Sequence, residues 1–283
     1  MQKFWRIKDL LEWTTRYFLD KGLTEPRLEA EVLLSYVLKK DRVYLYANYD
    51  KPVNGEEREQ FRQIIKRRAL GEPSAYITGR KEFMSLELVV SPAVLIPRPD
   101  TEVLVETALR LVREEPLKTV CDVGTGSGAI AVSMAYYAPQ LMVYAIDISP
   151  QAMEVAEGNA ARHKVEINLL QGDLLEPLLD RRVDMVLANL PYIPESELSR
   201  LDPGVKDYEP RLALTCPGDG LMLYRRLVPQ AEIVLSPGGY LLMEIDPRQA
   251  EAAQELVLGF QEIEIIRDYG GRERVVKARK RAE

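Results

Sequence analysis

Thr119-Val120-Cys121-Asp122-Val123 is an apolar run of strand length, and it passes through Gly124-Thr125-Gly126-Ser127-Gly128 into Ala129-Ile130-Ala131-Val132-Ser133-Met134, a run with the composition of a buried helix. A strand that enters a helix through three alternate glycines restricts the fold severely. The segments beyond residue 98 keep the same alternation: helices are expected over 101–114, 127–137, 150–163, 220–235 and 248–258, with strands over 118–123, 142–147, 166–170, 183–188 and 239–245. Two final strands, 261–268 and 272–279, are joined by Tyr269-Gly270-Gly271, a turn too short for a crossover, so they must run antiparallel. The expected class is α/β: a doubly wound, mostly parallel, seven-stranded Rossmann-like sheet with an antiparallel last strand.

The first part of the chain has a different period. Leu10, Leu11, Trp13, Tyr17 and Phe18 fall on one helical face, Leu28, Val32, Leu33, Tyr36 and Val37 repeat it, and Glu57 to Leu70 keeps Phe61, Ile64 and Ile65 at inward spacing before stopping at Gly71-Glu72-Pro73. Between the two parts lie β-type runs, Phe83 to Val90 and Val94-Leu95-Ile96, bounded by Gly79, Pro92 and Pro97. The expected organisation is a small α-helical domain over 1–75, a β-hairpin linker over 76–97 and the α/β domain over 98–283.

Composition removes several functions. With 283 residues, 38 Lys+Arg against 44 Asp+Glu and a net charge of −6, the chain is long enough for about two cored domains, and its acidic balance argues against a life on phosphate backbones. No window approaches the roughly 18 uninterrupted apolar residues of a membrane span, and the Met1-Gln2-Lys3-Phe4-Trp5-Arg6 start carries no leader pattern. Cys121 and Cys216 stand alone, so neither a disulfide framework nor a zinc site is indicated and a reduced, cytoplasmic setting is expected. The single histidine, His163, sits at a helix end, where a cation beside free carbonyls is its simplest role.

The glycine loop lets backbone approach a ligand, and the helix behind it offers free N–H groups. Gly124-x-Gly126-x-x-Ala129 with Asp147 ending the next strand satisfies the relaxed dinucleotide fingerprint, so Asp147 can accept from the ribose of either NAD or S-adenosylmethionine. Two features favour the latter. Asp122 offers a carboxylate to a methionine ammonium, and in Gln171-Gly172-Asp173-Leu174 the acid can accept from adenine N6 while Leu174 packs on the ring. Asn189-Leu190-Pro191-Tyr192 then leaves the carboxyl end of the fourth strand, where open α/β sheets bind ligands. Methylation of a planar nitrogen needs acceptors that hold its two N–H groups, a task for Asn189 Oδ1 and the Leu190 carbonyl, with Pro191 stiffening the loop and the Tyr192 ring packing on the planar group.

With these motifs the chain resembles the release factor glutamine N5-methyltransferases, which methylate the glutamine of the Gly-Gly-Gln loop in class 1 peptide-chain release factors. Gly71 to Gly79 with Glu82-Phe83, Val94-Leu95-Ile96-Pro97-Arg98-Pro99-Asp100-Thr101-Glu102, Tyr208 to Leu214 and Asp219-Gly220-Leu221 carry the likeness over nearly the whole length. The resemblance implies S-adenosyl-L-methionine as cofactor and S-adenosyl-L-homocysteine as product. It implies cofactor contacts from Gly124, Thr125, Gly126, Ser127 and Gly128, from Asp147 and Leu174, and from Asn189. It also implies glutamine recognition by Asn189, Leu190, Pro191 and Tyr192, closure of Arg98 and Pro99 over the cofactor, and a helical domain that docks a release factor; a monomer without a stable nucleic-acid partner is expected. Leu190 stands where the family usually has proline, and Thr215-Cys216-Pro217-Gly218 replaces a usual glycine pair. Asn-Leu-Pro-Tyr also occurs in adenine N6-methyltransferases acting on ribosomal RNA, which makes such an activity on RNA or DNA the alternative. A nicotinamide-dependent oxidoreductase and a catalytically silent adapter are the remaining readings, the first lacking a plausible proton donor.

Overall fold

The computed structural model describes residues 4–282, which form two compact units. The first comprises the chain up to Gly79 together with Pro203–Tyr208. Its helices are α1 (Ile7–Asp20), α2 (Pro26–Leu38), α3 (Arg42–Ala47), α4 (Gly55–Ala69) and α5 (Ser74–Thr78). Their inward faces bring Leu11, Phe18, Leu33, Leu34, Leu45 and Phe61 into one core. Helix α4 begins with a reciprocal cap: Asn54 Oδ1 accepts from Glu57 N at 2.9 Å while Glu57 Oε2 accepts from Asn54 N at 3.0 Å. Glu31 is buried but not isolated, since Arg27 at 2.6 Å, Arg42 at 2.8 Å and the Tyr46 hydroxyl all donate to it.

The second unit, Arg80–Asp202 with Glu209–Glu283, opens with the hairpin β1 (Arg80–Phe83) and β2 (Leu86–Val89). There follow α6 (Glu102–Glu114), β3 (Thr119–Val123), α7 (Ala129–Tyr137), β4 (Met142–Asp147), α8 (Pro150–His163), β5 (Asn168–Gln171) and β6 (Val183–Ala188). After an excursion come α9 (Met222–Val234), β7 (Leu235–Glu244), α10 (Ala250–Leu256), β8 (Gln261–Arg267) and β9 (Glu273–Arg279). The central sheet has seven strands in the order β8-β9-β7-β6-β3-β4-β5, with β9 antiparallel to both of its neighbours. One face packs on α6, α7 and the hairpin, the other on α9 and α10, which is why β3 and β6 read as near-continuous apolar runs.

Two local expectations are corrected. The run Phe83 to Val90 is not one strand, because Met84 and Ser85 both adopt left-handed backbone, φ 50° and 59°, and turn the chain in its middle; Glu102 Oε1 accepts from Met84 N at 2.8 Å and holds the turn. Val94-Leu95-Ile96 forms no strand at all. Prolines 92, 97 and 99 remove ladder donors around it, and Ile96 N is bound instead by the buried Glu209 Oε2 at 3.1 Å.

Candidate active site

The strand order reverses direction at β3, which pairs in parallel with β4 on one side and β6 on the other. Register places Val123 opposite both Ile146 and Ala188, and Ala188 opposite Met243. Gly124, Asp147, Asn189 and Glu244 therefore leave four adjacent strands at one edge, the switch point at which such sheets bind ligands.

A cavity of about 390 Å³ opens there. Gly124, Thr125, Gly126 and Ser127 line one wall, Asp147, Asp173 and Leu174 a second, and Asn189, Leu190 and Pro191 a third. Gly128 and Tyr192 do not line it. The three loop glycines have φ of 74°, 54° and 78°, values that side chains disfavour, but the space above them differs. A Cβ on Gly126 would meet nothing nearer than 3.9 Å, so its bare face is open to a ligand. A Cβ on Gly128 would lie 3.0 Å from the Ala156 Cβ, so that glycine serves the packing of α7 against α8.

Asp147 is fixed by backbone: Oδ2 accepts from Gly126 N at 2.8 Å and Oδ1 from Ser149 N at 2.9 Å. Ser149, not Asp147, caps α8 by accepting from Ala152 N, and the remaining lone pairs of Asp147 stay available to donors in the cavity. Asp122 lies beneath the loop and does not face the cavity. It is 1% exposed; Oδ2 accepts from the Thr125 hydroxyl at 2.6 Å and from Ala131 N at 3.2 Å, while Oδ1 has no partner among the described residues. Burial pushes its carboxyl up to about 7, against those two hydrogen bonds. Asn159 ties the loop to the hairpin, donating to the carbonyls of Ser127 at 2.8 Å and Val89 at 2.9 Å.

Both arginines that line the cavity are paired with acids. Arg226 donates to Asp173 at 2.6 Å, and Arg98 pairs with Glu209, whose carboxylate is buried. Where the chain leaves β6, Asn189 Nδ2 donates to the Thr101 hydroxyl at 3.0 Å, which leaves Oδ1 without a protein donor among the described residues. Thr101, Glu209, Arg226, Glu244 and Gln249 were not singled out as site residues from the sequence. The signal available for Glu244 was an acid closing the otherwise apolar Tyr240-Leu241-Leu242-Met243.

Residues 9–79 match the family model described as PrmC N-terminal domain, and residues 99–200 match that of the methyltransferase small domain. The chain is 46% identical to the release factor glutamine methyltransferase of Geobacter sulfurreducens over 279 residues, 98% of each chain. It is 45% identical to that of Moorella thermoacetica over 282 residues, covering 98% of this chain and 99% of the other. The chain belongs to the release factor glutamine methyltransferase family. The Thermus thermophilus 16S rRNA N2 G1207 methyltransferase, solved with AdoMet and guanosine, shares the fold alone, at a TM-score of 0.53 and 17% identity over 71% of this chain and 50% of that one. The adenine alternative is not favoured by these relatives. Among the described residues no helix is long and apolar enough to cross a membrane, and no cluster suited to a metal ion is present.

Within this methyltransferase family, Leu190 has a physical compensation. It has an N–H that proline would lack, and this donates to the buried Tyr224 hydroxyl at 3.2 Å, while Tyr224 donates to the Glu244 carbonyl. The 215–220 segment braces the same loop: Thr215-Cys216 pairs with Ile193-Pro194, and Gln249 Nε2 donates to the carbonyls of Tyr192 and Asp219, each at 2.9 Å. A Cβ on Gly220 would lie 2.0 Å from the Tyr192 carbonyl oxygen, so only glycine fits there. Cys216 is fully buried in this brace, and burial raises the Cys121 thiol well above its ordinary value, so neither is placed as a nucleophile.

Proposed function

We propose that the chain methylates the side-chain amide nitrogen of the glutamine in the Gly-Gly-Gln loop of class 1 release factors, using S-adenosylmethionine, in the roles set out below. The cavity suits that cofactor: an open face over Gly126, a carboxylate at Asp147 placed for ribose hydroxyls, and Asp173 beside Leu174 for an adenine edge and face. Bound there, S-adenosylmethionine supplies a methyl group on a sulfonium and leaves S-adenosyl-L-homocysteine.

The rest is positioning by the chain. Asn189 Oδ1 and the Leu190 carbonyl accept the two N–H groups of the glutamine amide and turn its nitrogen toward the methyl group; both interactions strengthen as that nitrogen becomes cationic. Pro191 limits the loop's freedom, and Tyr192 backs the acceptor slot. Once the nitrogen is cationic its proton is acidic enough to leave to water, so no general base is needed beforehand. The observation that carries this reading is the Asn189–Thr101 hydrogen bond, because it commits the amide's donor end inward and frees its acceptor end. The helical unit docks the release factor, and the enzyme works as a monomer with no stable nucleic-acid partner. Transfer of labelled methyl to a purified class 1 release factor, compared with its Gln→Ala loop variant and with ribosomal RNA, tests the reading; label on RNA alone would replace it with the adenine alternative.

A further inference from the structure

Leu174 has left-handed backbone, φ 52°, in a turn that Glu176 N closes on the Asp173 carbonyl at 3.2 Å. The residue is buried and lines the cavity. Glycine or asparagine is what such a position ordinarily carries, and a branched apolar residue is strained there. Strain of this kind persists only where neighbouring contacts impose it. Here they come from α9: Arg226 Nη2 donates to Asp173 Oδ2 at 2.6 Å, and Gln230 Oε1 accepts from Leu175 N at 2.8 Å. The residues immediately before and after Leu174 are therefore each bound by the same helix, through side chains four positions apart on one face. The turn is tight on its other side as well, since a Cβ on Gly172 would lie 2.3 Å from Pro177 Cγ.

We propose that Arg226 and Gln230 are positioning residues for the nucleoside end of the cofactor: together they clamp the turn around Leu174 in its left-handed form, so that Asp173 and Leu174 are set before the adenine arrives. The inference rests on the adenine contacts given to Asp173 and Leu174 above. Arg226 occupies Oδ2 of Asp173 and leaves Oδ1 without a donor among the described residues, which is the acceptor that an adenine N6 amino group needs. Gln230 satisfies the amide of Leu175, a fully buried residue. A turn that had to pair this N–H elsewhere would rotate, return Leu174 to ordinary backbone and withdraw it from the cavity. Order established in advance lowers the cost of binding, so the clamp acts on cofactor affinity and on the choice of base, while Asn189 on another wall serves the transfer itself.

The test titrates S-adenosyl-L-homocysteine and S-inosyl-L-homocysteine, in which a carbonyl oxygen replaces the N6 amino group, onto the full-length enzyme well below its Tm. Wild type is expected to prefer the adenosyl compound at least tenfold. Arg226→Met and Gln230→Met are each expected to raise the Kd of S-adenosyl-L-homocysteine about three- to tenfold, and Arg226→Met to shrink the preference for adenosine at least threefold. With a class 1 release factor as substrate, the loss should fall on the KM for S-adenosylmethionine, with kcat changed less than twofold. Gln230→Glu keeps an acceptor for Leu175 N and should bind within twofold of wild type. Affinities within twofold of wild type in both methionine variants, or a loss in Gln230→Glu as large as in Gln230→Met, would overturn the clamp. If Gln230→Met does not fold, Arg226→Met decides alone, because its side chain is 42% exposed. Equal binding of the two compounds by wild type would instead overturn the reading of Asp173 as the adenine acceptor, and the inference with it.

Discussion

Asn189→Ala removes one acceptor from the reaction edge while leaving the cavity's nucleoside end intact. Asn189 Nδ2 donates to Thr101 at 3.0 Å, so the substitution deletes that internal bond together with the one that, in the proposed complex, Oδ1 accepts from the glutamine N–H. The second matters for rate, since the nitrogen it holds becomes charged in the transition state. A hydrogen bond to a charged group is worth about 1.5–3 kcal/mol, which corresponds to a loss of turnover of about 10- to 150-fold. The internal bond is neutral and costs about 1 kcal/mol of stability, a fall of about 2–4 °C in Tm for a chain of this size. The assay is single-turnover transfer of labelled methyl to a release factor at saturating S-adenosylmethionine, with cofactor affinity measured separately by titration. The expected pattern is a large loss of rate with cofactor Kd within about threefold. Equal losses in both would move Asn189 into the cofactor's contacts, and undiminished rate would refute the claim that its oxygen holds the acceptor.

Other consequences follow from the same geometry. Gly128→Ala places a Cβ 3.0 Å from Ala156 at a φ of 78°, and the left-handed penalty with overpacking of α7 on α8 amounts to about 2–4 kcal/mol, to be read as a lowered Tm. Arg98→Ala leaves Glu209 as a buried carboxylate held only by Ile96 N; because Arg98 is itself partly exposed, the cost is about 1–3 kcal/mol, checked by denaturant unfolding and by faster proteolysis around residues 92–101. Asp122 titrates near 7 folded against an ordinary 3.8, so between those values the unfolded chain has lost a proton that the folded chain keeps. Stability therefore falls as pH rises through that window, by up to about 4 kcal/mol from this group, and levels off above it; Asp122→Asn should flatten the curve, leaving the smaller slope of the same sign due to Glu244, and an unaltered slope would show that Asp122 is ionised throughout.

The sheet was legible from the chain because its information is local. An apolar strand, a glycine turn and a helix each announce themselves within a few residues, and the antiparallel end followed from the length of one turn. Asp147 and Asn189 were legible for the same reason, as polar residues that close apolar strands at the edge where ligands bind. The elements that were not legible depend on distant partners. Met84-Ser85 turns the hairpin without glycine because Glu102, 18 residues on, holds it, and Val94-Leu95-Ile96 has strand composition but gives its amide to Glu209, 113 residues away.

The site divides along the same line. Residues proposed to meet a ligand sit at strand ends and can be found from pattern, whereas their hydrogen-bond partners come from elsewhere: Thr101 is 88 residues from Asn189, Glu244 is 52 from Tyr192, and Gln249 is 57 from Tyr192. Leu190 shows why this division matters for substitution. Taken as a motif position it is a loss, since a flexible residue stands where proline would stiffen the loop. In the fold its N–H reaches the Tyr224 hydroxyl, so the constraint passes from a fixed backbone angle to a buried hydrogen bond. A proline at this position could not make that bond, and Leu190→Pro in this chain would leave the Tyr224 oxygen one donor short rather than restore the usual motif.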